Sequence, residues 1–340
     1  MSVLHGISAL AQIWTTVPSL PIPVTNNAVA AGLENGTAVV YSFLGLDSTK
    51  LWSGISNRAF RWKLGTPGWE EIQPVPGPGR LAGTAQALGG KVYLFGGYTV
   101  AEDGTERSVP SVDVYDPSSA TWSLGSPMPV PVDDAVSAVW RDSLIYLVSG
   151  WHDTDNVSNV QVYDPTNDSW QQATPIPGRP VFGHAGGIAG NTIVYVDGVR
   201  RNSARPRYQM EPSSWLGEVD PDNPTVVTWS VLPNHPGPPI YRAAAGTVGA
   251  LVVFAGGTDN PYNYDGIGYD GVPAEPSTGV FGFDVLTRNW RSLPTLSTPS
   301  MDHRGIVVAG EMLVIVGGMT AGQRVTTQVV YATVDGLVGR

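Results

Sequence analysis

Three short stretches gather side chains able to move protons and hold charge. "SMDHRG" sets Asp302, His303 and Arg304 in a row, "PPIYRAAAG" sets Tyr241 beside Arg242, and "FGHAGG" carries His184. A carboxylate beside an imidazole and a guanidinium can supply a general base, its orienter and an anion clamp. His184 and His303 are therefore candidate bases, with Asp302 as their catalytic partner. Arg242 and Arg304 are candidate clamps, with Tyr241 alongside, because a guanidinium fork matches a carboxylate bidentately. The same groups have a plain structural use: satisfying buried amides and water.

A second set lies in long irregular segments. "NPYNYDGIGYDGVPAEPS" offers Tyr262, Tyr264 and Tyr269 with Asp265, Asp270 and Glu275. Rings that stack on C–H faces and carboxylates that accept hydroxyls are what a sugar site uses. The same mixture also builds a compact Ω-loop held by its own side chains. Trp151 and His152 in "WHDTDN" add an aromatic and an imidazole, and Arg80, Arg205 and Arg207 complete the candidate ligand-binding set. The acidic spacing fits no EF-hand loop, so no metal is expected. No cofactor motif appears: there is no G-x-S-x-G, H-E-x-x-H, Walker A or G-x-G-x-x-G in context.

Composition narrows the partners. The chain of 340 residues carries a formal net charge of −10, which argues against nucleic acid and anionic membrane surfaces. No apolar run is long enough for a membrane span. With no cysteine, disulfides, thiolate metal sites and cysteine nucleophiles are all excluded. The opening "MSVLHGISALAQIW" has no basic n-region, so as written it implies a cytoplasmic protein, and a periplasmic or secreted one if a leader has been removed. A monomer is expected.

The elements that must position these residues are repeats. A β-branched or aromatic run ends in a small pair at Gly45, Gly97, Gly150, Gly198, Gly257 and Gly318, in steps of roughly 50 to 60 residues. Tryptophans follow at Trp69, Trp122, Trp170, Trp229 and Trp290, giving five for six glycine positions. In "YDPSSATW", "YDPTNDSW" and "FDVLTRNW" an aromatic precedes the tryptophan by seven positions, the spacing of a hairpin with an Asp-led turn. Each unit then holds four short strands, the innermost rich in Ala and Gly, as in "RAAAGTVGA".

Glycine pairs with spaced tyrosine and tryptophan resemble the Kelch-repeat β-propellers, which implies an all-β, six-bladed fold of four-stranded antiparallel blades. The expected blades span about 23–76, 77–131, 132–178, 179–236, 237–300 and 301–340. The last unit has Tyr331 but Val338 where a tryptophan belongs, so "IWTTVPSLP" with Trp14, within residues 1–22, is expected to close blade 6 as its outermost strand. Long loops between strands two and three should share one face with His152, His184, His235, His303 and most arginines. Galactose oxidase resembles this fold too, but its copper site needs a cysteine, so copper oxidase chemistry is excluded.

Whole-chain size, "VFAGG" followed by a tyrosine-rich loop, and the final "VIVGG" blade resemble bacterial sialic-acid mutarotase/epimerase-type Kelch proteins. That implies binding, and possible isomerisation, of a small acidic or sugar-like ligand at the mouth of the central channel. Where such proteins are expected to carry an acid, this chain reads "VDGVRRNSARPR", so no catalytic residue is carried over. A non-catalytic protein-interaction module on the same loop face is the alternative.

Overall fold

The computed structural model describes residues 13–338; residues 1–12, part of the segment assigned to the closing strand, lie outside them. Small residues set the architecture at its centre. Cβ atoms at Gly186 and Gly246 would collide with the carbonyls of Val194 and Ile306, so only glycine lets the inner strands pack this tightly. The inner strands Ala28–Glu34, Thr84–Leu88, Val136–Trp140, Ala185–Ala189, Ala244–Val248 and Val307–Ala309 surround a central channel. Each begins a four-stranded antiparallel sheet, and six such sheets form a β-propeller.

Blade 6 is completed by a strand from the other end of the chain. Thr15–Thr16 pairs antiparallel with Val329–Thr333, in the register Thr15↔Tyr331. Tyr115↔Trp122, Tyr163↔Trp170 and Phe283↔Trp290 sit directly opposite each other, with ring centroids 5.0, 4.9 and 4.8 Å apart. Every repeat tryptophan donates its indole N–H to a carbonyl of the preceding blade's exit. Trp69 reaches Pro18, Trp122 reaches Gln73, Trp170 reaches Ser126, Trp229 reaches Thr174 and Trp290 reaches Pro233, at 2.8–3.2 Å. Trp14 makes the sixth such bond, to Pro294 at 3.0 Å, and is fully buried.

Apolar clusters lie between blades, so each blade is stable only against its neighbours; one joins Tyr146 and Val160 of blade 3 to Ile188 and Tyr195 of blade 4. The connections between strands two and three are elaborated on one face. Four form small two-stranded ribbons, beginning at Tyr98, Trp151, Val199 and Met319. Blade 1 carries a short 3-10 turn, Trp52–Gly54, and blade 5 the tyrosine-rich segment 258–279.

Candidate functional site

Just before each inner strand one residue adopts positive φ, between 50° and 68°: Asn26, Ala82, Asp134, Gly183, Arg242 and Asp302. Their segments form a closed hydrogen-bonded circuit around the axis. The N–H groups of Asp134, Gly183, Arg242 and His303 donate to the carbonyls of Ala82, Asp134, Gly183 and Arg242 at 2.8–3.0 Å, and Asn26 N–H to Asp302 O at 3.3 Å. Ala82 N–H completes it through Asn26 Oδ1 at 2.6 Å.

Charged side chains of this ring meet each other. Arg242 Nη2 lies 2.6 Å from Asp134 Oδ2 and its Nη1 3.3 Å from Asp302 Oδ1. Arg304 Nη2 is 2.9 Å from Asp134 Oδ1 and 2.6 Å from Asn26 Oδ1. Thr25 Oγ1 donates to Asp302 Oδ2 at 2.6 Å. Two guanidinium groups thus face two carboxylates, all almost wholly buried. Burial pushes the Asp134 carboxyl up, but Arg242 and Arg304 outweigh it and hold the group below the usual carboxylate range. Its neighbour Asp133, bonded to Ser108 Oγ, is pushed well up by burial and by the Asp134 charge.

The tyrosine-rich segment covers this cluster. Tyr262 is fully buried, its ring against Tyr241 and over Arg242. The Asn263 carbonyl accepts from Arg242, and the Asn263 side-chain amide donates to Glu106 Oε1 at 2.7 Å. Lys50 Nζ donates to Asp265 O and Gln323 Nε2 to Ala274 O, both at 2.8 Å, so blades 1, 2 and 6 all grip the segment. Tyr264 packs beside Leu46 and Tyr98.

The anticipated residues therefore separate into groups. Asp302, Arg242, Arg304, Tyr241 and Tyr262 converge at the axis. His184 and His303 line the channel beneath; burial lowers them to about 4 and about 3, with Arg304 adding to the effect at His303, so both are neutral imidazoles at neutral pH. Arg80 stands apart, buried in blade 2 with Asp113 Oδ2 at 2.5 Å and Gly96 O at 2.9 Å. His152 Nδ1 is 2.8 Å from Pro131 O. His235 is a strut between blades, 2.6 Å from Asp197 Oδ2 and stacked on Phe281.

On the loop surface Tyr269, 42% exposed, stacks on Tyr208 with centroids 4.0 Å apart. Trp151 supports Tyr208 from below at 5.9 Å, and the Arg207 guanidinium lies 5.9 Å from the Tyr208 ring. Arg205, Arg207 and Glu275 are exposed. Asn26, Asp134, Tyr208 and Asn263 were not anticipated. The first two had a signal: "TNNA" and "DDAV" align with "MDHR" once the repeats are superposed. Tyr208 and Asn263 had none, because nothing local tells which way a loop residue folds.

A Kelch motif model matches residues 79–129 and 136–177. The chain is 26% identical over 148 residues to beta-scruin of Limulus polyphemus, covering 43% of this chain but only 16% of that protein. With Kelch-like protein terF of Aspergillus terreus it shares 24% identity, across 92% of this chain and 66% of the relative. N-acetylneuraminate epimerase of Pasteurella multocida is 24% identical, over 79% of this chain and 81% of that one. The solved structure of YjhT superposes with a TM-score of 0.73 at 19% identity, covering 93% of this chain and 96% of that one. Motifs, sheet order and whole-chain superposition agree: the chain is a six-bladed β-propeller built on Kelch motifs, resembling the sialic-acid epimerase type of propeller.

Proposed function

We propose that the loop face binds a small acidic, sugar-like molecule, with the Tyr208–Tyr269 stack as its platform and Arg205 and Arg207 as its carboxylate clamp. One observation carries this reading. Of the five arginines anticipated as ligand contacts, Arg80, Arg242 and Arg304 are buried in ion pairs, whereas Arg205 and Arg207 are exposed and form none among the described residues. A free guanidinium fork beside an exposed ring suits a sugar carboxylate and the C–H face next to it. The likeness to a protein named as an epimerase of an acidic sugar supports the same ligand class.

Binding is better supported than turnover. Efficient acid–base catalysis calls for a group titrating near the working pH. His184 and His303 titrate far below neutrality, and Asp133 and Asp134 are both buried, the first pushed up by burial and the second held down by Arg242 and Arg304.

The test is calorimetric titration with N-acetylneuraminate and, in parallel, a neutral N-acetylhexosamine. The acidic sugar should bind, and R205A/R207A should weaken it at least tenfold, about 1.4 kcal/mol. Equal binding by the double variant overturns the clamp. No binding of either sugar favours a protein-docking face instead, a reading supported by Leu51 (58% exposed), Trp52 (42%) and Val272 (55%) on the same side of the propeller.

A further inference from the structure

The central channel is a cavity separate from the loop-face site, and its chemistry differs from that of the loop face. It encloses about 330 Å³ among the inner strands of all six blades. This is the lower end of the roughly 300–1,000 Å³ typical of small-molecule pockets. The wall side chains are small, including Ala30, Ala85 and Ala245, so the strand backbones help make the exposed lining more polar than apolar, and Gln86 and Ser137 add polar side chains. Toward the loop face it is sealed by Asn26, Asp134, Arg242 and Asp302, none more than 3% exposed. Toward the opposite face the lining opens: Val308 is 37% exposed, and Ala31, Ala87 and Thr247 are half-buried. The channel is thus a blind cup with a polar floor.

Three buried polar atoms on residues lining this cup have no hydrogen-bond partner among the described residues: His184 Nδ1, Arg304 Nε and Thr247 Oγ1. His184 is 6% exposed and the Arg304 side chain 4%. Buried polar groups without partners are costly, and three on one cavity imply an occupant that hydrogen-bonds. The occupant's charge follows from the floor. Arg242 and Arg304 are already matched by Asp134 and Asp302, so an incoming anion finds no uncompensated cation, and a cation finds no free carboxylate.

We infer that the cup is a binding site for a neutral polyhydroxylated molecule of about monosaccharide size, entering from the face opposite the loops. Hydroxyls can accept from the Arg304 Nε–H and the Thr247 hydroxyl, and donate to His184 Nδ1, which is the acceptor nitrogen because Nε2 donates to Val148 O at 3.0 Å. The carbon skeleton lies against the alanine and valine walls.

Saturation-transfer NMR with glucose, N-acetylglucosamine and myo-inositol as probes tests this on the full chain. At least one should receive saturation from the protein. T247V removes an unpartnered hydroxyl without changing side-chain shape, so the variant should melt at or above the wild-type temperature while binding the probe roughly three- to tenfold more weakly. R205A/R207A should leave the neutral probe's binding unchanged, which separates the cup from the proposed loop-face site. The inference is overturned if no neutral probe binds, meaning water alone fills the cup. It is equally overturned if T247V binds like wild type, or if R205A/R207A abolishes the signal.

Discussion

Arg242 and Arg304 separate a residue's chemistry from its availability. Both are the right type for an anion clamp, yet each is committed to the Asp134 carboxylate across the axis in blade 3. Their type was readable in "YRAA" and "DHRG"; the ion pairs were not, because Arg242 and Asp134 are 108 positions apart. The histidines beside them make an acid-sensitive structure. His184 and His303 have folded pKa values of about 4 and about 3, below the unfolded value of 6.5. Below pH 6.5 the unfolded chain therefore binds more protons than the folded one, so their stabilisation is complete above that pH and lost as pH falls. By pH 4 each removes on the order of 3 kcal/mol. His235 has the opposite sign: burial pushes it down but Asp197 outweighs burial and raises it, so its contribution is present at low pH and lost as pH rises through its folded value. Melting temperature should drop steeply between pH 6.5 and 4. His303→Asn should flatten that slope, whatever its effect on stability at pH 7; an unchanged slope contradicts the assignment.

At the scale of the element, the glycine pair resolves into two positions with different rules. The second is glycine in every blade because a Cβ there would lie 2.5–3.0 Å from one particular carbonyl: Thr25, Leu81, Asp133, Phe182, Tyr241 or Met301. The first takes positive φ in every blade but admits a side chain in three, where Leu44, Ser149 and Asp197 adopt it at 54–63°; in the others a Cβ on Gly96, Gly256 or Gly317 would lie 2.2–2.4 Å from the carbonyl of Val132, Ser300 or Val24. That explains why half the pairs are incomplete without loss of the repeat, and it freed Asp197 to hold His235. Gly150→Ala should therefore destabilise by several kcal/mol, about the cost of overpacking plus strained backbone. Ser149→Gly should cost far less, of the order of 1 kcal/mol for its lost hydroxyl bonds. Chemical denaturation of the two variants compares them directly, and similar losses would contradict the distinction.

For the whole molecule, closure is the decisive contact. Residues 17–24 run alongside blade 6, where the N–H groups of Val17, Leu20 and Val24 donate to the carbonyls of Val329, Thr327 and Thr326. Trp14 fills the gap between blades 5 and 6, among Leu251, Leu296, Leu313 and Ala332. Its indole bond completes a pattern otherwise made by five repeat tryptophans, so its loss leaves one seam of the ring weaker than the rest. Trp14→Ala should cost about 3–5 kcal/mol, the range for a buried tryptophan. Because each interblade cluster depends on both its neighbours, unfolding should remain a single transition. A variant melting with the wild type, or in two steps, would show that the seam does not hold the ring together.

Sequence alone determined the repeat: the count of glycine positions and tryptophans, their spacing, and the need for one more tryptophan, supplied by Trp14. These are local or periodic requirements, set by strand geometry and by backbones that approach too closely for a side chain. Tertiary structure alone decided which polar residues remain free. The axial charges cancel across blades, segment 258–279 folds over them, Arg205 and Arg207 are left exposed at a hairpin tip, and three unpartnered polar atoms are left on residues lining a blind channel. No local pattern encodes that outcome, because each of those pairings joins residues brought together only when the ring closes.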